Sequence, residues 1–284
     1  MMSMPEQHEW LPYVIVWACV CTLVVLFRIR RGLLHQNNAV PKVEIGNGQT
    51  IGAREEQDDY FSTFVSPHGT IAVLADGISG LSGGRAASTA AVTTFVKQFL
   101  KLEHIQELPE FFTTAAVVSN AEIMHTLKGA QGGTTLVAVV VEDGNLHWGA
   151  VGDSLIKIFR NGDFIDVNQK HILESVLEER FVSGEITRDE ALDSPMKNHL
   201  VNYLGYEGFK NIEIGTEPVR LQKRDKVILC SDGVYNTLTE VELEDILSKP
   251  ISAYDAAQEI IEAIERKQLT HQDNATVVIL EKGW

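Results

Sequence analysis

The chain has 284 residues, with 24 Lys+Arg against 39 Asp+Glu, a formal charge of −15, 44% hydrophobic residues and three cysteines. That apolar content excludes a disordered chain, and so few cysteines exclude a disulfide-framed secreted scaffold. The acidic excess argues against a nucleic-acid binder, which needs a basic face to neutralise phosphates.

The first element is apolar. Residues 11–27 (LPYVIVWACVCTLVVLF) carry no charge. As a helix they would span about 26 Å at about 1.5 Å per residue, near the roughly 30 Å of bilayer hydrocarbon. Trp10, Tyr13 and Trp17 stand near one end, and Arg28, Arg30 and Arg31 follow the other. The leading flank holds Glu6 and Glu9 and no Lys or Arg. This pattern reads as a transmembrane helix with its C-terminal side in the cytoplasm. A cleaved signal peptide fits poorly, because the basic residues follow the apolar run instead of preceding it. Cys19 and Cys21 read as lipid-facing fillers. Segment 1–31 is slightly basic, so the acidic excess belongs to the rest of the chain. Residues 32–41 read as a linker and 42–284 as one domain without repeats.

Within that domain, Ile71–Leu74 is an apolar strand ended by Asp-Gly. Arg85–Leu102 and Leu108–Leu127 carry apolar residues at helical spacing. Thr134–Val141 is a β-branched run that stops at Asp143-Gly144 and resumes as Leu146–Val151, a hairpin. Leu155–Phe159 and Phe164–Val167 flank Asn161-Gly162, a second hairpin. Lys226–Cys230 and Thr276–Leu280 are short strands. Thr239–Glu244 reads as a solvated acidic helix start, and Ser252–Leu269 as a helix with Ser252 as N-cap. Hairpin-linked strands with helices outside them predict an α+β domain of antiparallel sheets covered by helices.

Carboxylates punctuate those strands. Asp76-Gly77 follows IAVLA, Asp153 follows WGAVG, Asp232-Gly233 follows KVILCS, and Asp273 precedes ATVVIL. A fifth group, 55–59 (EEQDD), sits next to Arg54. One Asp-Gly after a strand is usually a plain turn. Five acidic groups at the ends of buried strands would converge at one rim, where they repel unless a cation neutralises them. An all-oxygen donor set suits Mg²⁺ or Mn²⁺. Arg54 suggests an oxyanion substrate, since a guanidinium grips phosphate through paired hydrogen bonds.

In chain order these motifs resemble the metal-dependent protein phosphatases of the 2C type in their bacterial form. They are Arg54-Glu-Glu-Gln57-Asp58-Asp59, Ala75-Asp76-Gly77-Ile78-Ser79-Gly80, Gly132-Gly133-Thr134-Thr135, Gly152-Asp153-Ser154, Ser231-Asp232-Gly233 and Asp273-Asn274-Ala275-Thr276. Residues 184–205 look like the flap of the bacterial members. The resemblance implies a four-layer α-β-β-α sandwich and two Mn²⁺ or Mg²⁺ ions. By motif, Asp76 would bridge the metals, the Gly77 carbonyl would bind one, and Asp232 and Asp273 the other. Asp59 would act directly or through water, Arg54 would bind the substrate phosphate, and Asp153 with Asp232 would hold a weaker third metal. The nucleophile would be a metal-activated water. The substrate would be phosphoserine or phosphothreonine in a protein, with a cognate Ser/Thr kinase as a further partner and no nucleic acid. Departures from the pattern are Gln57 for Asn, Ile78 and Leu81 where His occurs, Arg85 for Glu, and Asn236 for Asp.

Three other features read blandly. GISGLSGG (77–84) lacks the residues of a nucleotide loop. Cys230 has no Arg in the seven residues after it, so it reads as strand packing. His271, two before Asp273, reads as a surface-loop residue. The rival to an active enzyme is a catalytically weak phosphatase-fold protein acting as a membrane-tethered binding module.

Overall fold

The computed structural model describes residues 11–37, 43–78, 83–192 and 194–283. Two compact units divide it, 1–42 and 43–284.

The first unit holds helix α1, Leu11–Asn37. Its described apolar side chains are exposed, Tyr13, Trp17, Leu23 and Phe27 among them. Counted over the described residues alone, no helix is long and apolar enough to cross a membrane. The helix takes in the first six residues of the stretch read as a linker. Glu6, Glu9 and Trp10, on which part of the topology reading rests, lie outside the described residues.

In the second unit the chain runs β1 (Val43–Thr50), β2 (Tyr60–Ser66), β3 (Gly69–Ala75), α2 (Gly84–Phe99) and α3 (Leu108–Leu127). It continues through β4 (Leu136–Glu142), β5 (Asn145–Val151), β6 (Leu155–Arg160), β7 (Asp163–Asp166), α4 (Leu173–Val182) and α5 (Arg188–Leu192). The last part is β8 (Glu213–Ile214), β9 (Val219–Arg220), β10 (Lys226–Cys230), α6 (Asp232–Tyr235), α7 (Glu240–Leu247), α8 (Ala253–Arg266) and β11 (Ala275–Lys282).

Two sheets result, in the orders β1-β11-β10-β6-β7 and β2-β3-β4-β5-β8, with β9 also on β5. The paired strands are antiparallel throughout, for example Leu229 opposite Val278 and Ile156. Both hairpins close on left-handed residues, Asn161 (φ 54°) with Gly162 (φ 93°) and Asp143 (φ 46°) with Gly144 (φ 77°). That conformation is why Asn-Gly and Asp-Gly stand there, since a two-residue turn of matching twist needs positive φ at both.

Three apolar layers hold the sandwich. Leu74, Val137, Val139, Ile156, Leu229 and Val278 pack between the sheets. Phe95, Phe99 and Phe112 from α2 and α3 cover the second sheet on Ile71, Val73 and Ala138. Ile260, Ile261 and Ile264 of α8 and Leu243, Ile246 and Leu247 of α7 cover the first on Ile228, Cys230 and Ile279. Strands buried on both faces read as unbroken apolar runs, as β3, β4 and β10 do. Ser252 caps α8 by accepting the Asp255 N–H, and Thr239 with Glu242 closes a capping box on α7. The stretch read as a solvated helix start opens α7, and of its six residues only Leu243 is buried. In the flap, α4 and α5 bury no residue.

Candidate metal centre

The strand ends bring the sequence-predicted carboxylates to one rim. Asp76 directly follows β3, Asp153 stands between β5 and β6, Asp232 opens α6 just after β10, and Asp273 precedes β11. Asp59 directly precedes β2. Asp76 feels, in order, Asp59, Asp232, Asp153 and Asp273, which joins all five into one electrostatic group.

Asp59 is the most buried of them, 2% exposed. Its Oδ2 accepts the hydroxyls of Ser231 (2.8 Å) and Thr276 (2.7 Å). Those hydroxyls are themselves fixed, Ser231 Oγ by the Thr276 N–H and Thr276 Oγ1 by Gln49 Nε2. Asp59 Oδ1 has no hydrogen-bond partner, the one buried side-chain polar atom in that state among the described residues. Of the other carboxylates, Asp59 acts most strongly on Asp76, a repulsion that a proton or a cation would relieve.

Asp76 is held through its backbone. Its N–H donates to Thr135 Oγ1 (3.0 Å), and its carbonyl accepts Thr134 Oγ1 (2.8 Å) and the Thr135 N–H (2.9 Å). Gly77 allows a close backbone approach: an added Cβ would lie 2.5 Å from the Gly84 carbonyl and 2.8 Å from that of Asp58. The loop bearing Arg54 and Asp59 is pinned by Asn274, which accepts the Asp58 N–H and donates to the Ile51 and Glu56 carbonyls. Gln57 does the same locally, donating to Thr50 O and accepting the Asp59 N–H, so the amide departure at this position keeps a structural task.

Burial, then mutual repulsion, sets the electrostatics. Asp76 is held well above the usual carboxylate range by burial and by Asp59, Asp232 and Asp153. Burial pushes Asp59 up to about 6, against the pull of the Thr276 and Ser231 hydroxyls. Burial with Asp153 and Asp273 pushes Asp232 up to about 7. Asp153 is raised by burial and drawn back by Lys170 and by the Tyr235 hydroxyl.

Arg54 is half-exposed and pairs with Asp273, Nη2 to Oδ2 at 2.7 Å. Arg85 is exposed at the start of α2. Burial raises Asp58, and the Arg85 backbone amide draws it part of the way back. His271 is exposed and Cys230 buried, its thiol pushed up to about 12 by burial, as strand packing requires. Ser79, Gly80 and Leu81 lie outside the described residues. Sequence reasoning quoted Ser231, Thr276, Thr134, Thr135 and Asn274 inside motifs without assigning them roles. It gave Lys170 and Tyr235 no place, and no local pattern marks either one.

Among the described residues, no three His, Cys, Asp or Glu side chains are drawn together into a finished cation cage. The carboxylates form a looser rim, with Asp273 turned to Arg54 and Asp153 to Tyr235. The donors still fit hard divalent ions. They are all oxygens, they repel one another, and the orphaned Asp59 Oδ1 faces a group short of positive charge.

A carboxylate rim at the end of a double-sheet sandwich defines the class as one built around hard cations. The comparisons give it a family. The family model described as Protein phosphatase 2C matches residues 49–273, and the chain belongs to that family. It is similar to the serine/threonine phosphatase stp of Listeria welshimeri, 31% identical over 222 residues that cover 75% of this chain and 84% of that one. The solved serine/threonine phosphatase of S. agalactiae matches with a TM-score of 0.73 at 25% identity, over 84% of this chain and 98% of that one. The catalytic domain of PstP, solved in complex with two manganese ions, shares the fold with a TM-score of 0.67 at 21% identity, over 84% and 97% of the two chains.

Proposed function

We propose that this protein is a membrane-anchored, metal-dependent serine/threonine protein phosphatase that hydrolyses phosphoserine and phosphothreonine in cytoplasmic proteins phosphorylated by a Ser/Thr kinase. The observation that carries the reading is Asp59, buried with one oxygen unpartnered in a group of carboxylates that repel one another. Asp59, Asp76, the Gly77 carbonyl, Asp232 and Asp273 would hold two Mn²⁺ or Mg²⁺ ions. Bound there, such ions supply a water made nucleophilic at neutral pH and charge to offset the phosphoryl oxygens. Arg54 lies beside Asp273 on a half-exposed surface, from which its guanidinium can turn to grip the substrate phosphate. Ser231 and Thr276 aim the Asp59 carboxylate, and Thr134 and Thr135 fix the backbone of Asp76, which preorganises these two ligands.

The anchor reading rests on the uncharged run 11–27 followed by three arginines, and on a helix whose described apolar side chains are exposed. It is supported by the length of α1, 27 residues or about 40 Å at about 1.5 Å per residue.

Two measurements test the proposal. The purified chain should release phosphate from a phosphothreonine peptide with Mn²⁺ or Mg²⁺ and stop on chelation. Turnover no higher than that of Asp76→Asn would leave the binding-module reading in its place. In cells the chain should stay in the membrane fraction after a salt wash and leave it with detergent. Recovery in the soluble fraction would end the anchor reading.

A further inference from the structure

The rim holds a second cation besides Arg54. Lys170 lies in the stretch between β7 and α4, partly buried, with Nζ 3.6 Å from the centroid of the Tyr235 ring. The Tyr235 hydroxyl donates to the Asp153 carbonyl (3.2 Å) and reaches Asp153 Oδ2 at 3.4 Å. The ammonium lies over the face of the ring whose hydroxyl meets Asp153, and the quadrupole of that face attracts the cation. Lys170 makes no ion pair among the described residues, so no surface carboxylate neutralises it.

The placement is enforced from both sides. Asn168 accepts the Ile156 N–H (2.7 Å) and donates to the Ser154 carbonyl (3.0 Å). His171 donates its N–H to the Gly152 carbonyl (2.9 Å) and accepts the Gly152 N–H on Nδ1 (3.2 Å). Four hydrogen bonds therefore clamp the residues around Lys170 to the segment that carries Asp153. Across the site, Asn236 Nδ2 donates to Asp232 Oδ2 at 3.3 Å, placing an N–H where a ligand oxygen would be needed.

These residues do not suit the third divalent ion that the family resemblance implies at Asp153 and Asp232. We propose that Lys170 is a positioning residue that serves as the built-in counter-cation of Asp153, so that the enzyme works with two metals and no third. The inference rests on the two-metal reading above and concerns a residue that reading leaves unused. A divalent ion entering beside Asp153 would share that carboxylate with an ammonium one ring away, and like charges in partly buried surroundings repel.

The test is a Mn²⁺ titration of the detergent-purified full chain, counting bound ions from the loss of the free-ion electron paramagnetic resonance signal. Wild type and Lys170→Arg should bind two equivalents. Lys170→Met should bind a third, about tenfold or more tighter than any further binding by wild type. Adding Asp153→Asn to Lys170→Met should remove it. A folded Lys170→Met that stays at two equivalents overturns the proposal. So does a third equivalent on wild type that Asp153→Asn removes, and that comparison decides the matter even if Lys170→Met does not fold. Such a result leaves the two-metal reading standing, whereas a wild-type chain that binds no Mn²⁺ overturns both.

Discussion

Two aspartates of this domain are almost wholly buried, and the chain treats them in opposite ways. Asp225, 1% exposed, directly precedes β10. Arg160 grips it with two donors, Nε at 3.0 Å and Nη2 at 2.6 Å, and the Gln222 N–H adds a third bond at 2.7 Å. Asp59, 2% exposed, meets only hydroxyls, on one oxygen, and no cationic side chain pairs with it among the described residues. A buried carboxylate without a counter-charge costs several kcal/mol by the usual estimate. Asp225 is given its counter-charge by the chain and is structural. Asp59 is left short of one, and that shortage is what a cation from solution would fill.

The largest expected effect lies on the Asp59 side of this contrast. Asp76→Asn should lower kcat/KM on a phosphothreonine peptide by roughly 10³-fold, about 4 kcal/mol at about 1.4 kcal/mol per tenfold. The fold should survive, as seen by circular dichroism. On the other side, Arg160→Met should cost about 3–5 kcal/mol of stability in urea unfolding, because it strands Asp225. Turnover per folded molecule should stay near that of wild type. Asp59→Asn inverts the pattern. An amide can still accept both hydroxyls and can donate toward Asp76, so the metal-free protein should gain about 1 kcal/mol while Mn²⁺ affinity falls. If Asp59→Asn destabilised the metal-free protein as much as Arg160→Met does the whole, the two aspartates would be alike.

How much of this was legible in sequence follows the same division. The carboxylates stand next to strand ends and inside short motifs, so the rim could be read from spacing alone, as could β10 and α3 to the residue. Strand β1 could not. Its Gly46 and Gly48 break the apolar alternation because α8 lies against them, and a Cβ at Gly46 would sit 1.9 Å from the Ala253 carbonyl. Strand β2 (YFSTFVS) has only intermediate and exposed positions, so it lacks the buried run that betrays β3. The hydroxyls that fix Asp59 come from β11 and the turn after β10, 217 and 172 residues away in sequence. Lys170 reaches Asp153 only through a ring 65 positions further on. Contacts at such separations are made by topology, and no local pattern encodes them.

The contrast also sets a pH dependence. In the metal-free protein, Asp59 is pushed up to about 6 and Asp232 up to about 7, mainly by burial, against about 3.9 for an unfolded Asp. The folded state then binds more protons than the unfolded state in between. The stability these groups contribute is full below about pH 4 and is lost as pH rises through about 7. Thermal unfolding of the chelated protein should shift to lower temperature from pH 4.5 to 7.5. Asp232→Asn should reduce that slope, and saturating Mn²⁺ should abolish it. A flat profile without metal would mean that the rim carboxylates are not held short of charge.

The smallest effect should come from behind the rim, where the chain supplies its own partners. Ser154 is fully buried, and its hydroxyl lies 2.7 Å from that of Thr135, which in turn accepts the Asp76 N–H. Ser154→Ala removes the hydrogen bond between these two buried hydroxyls, at a cost of about 1–2 kcal/mol in urea unfolding. Asp76 should hardly move, because its carbonyl still accepts Thr134 Oγ1 and the Thr135 N–H. Turnover and Mn²⁺ affinity should therefore change by less than about tenfold. A loss of turnover on the scale of Asp76→Asn would place the Thr135–Ser154 pair with Asp59, as part of the machinery. A loss confined to stability would place it with Asp225, among the groups whose charge and hydrogen bonds the fold satisfies by itself.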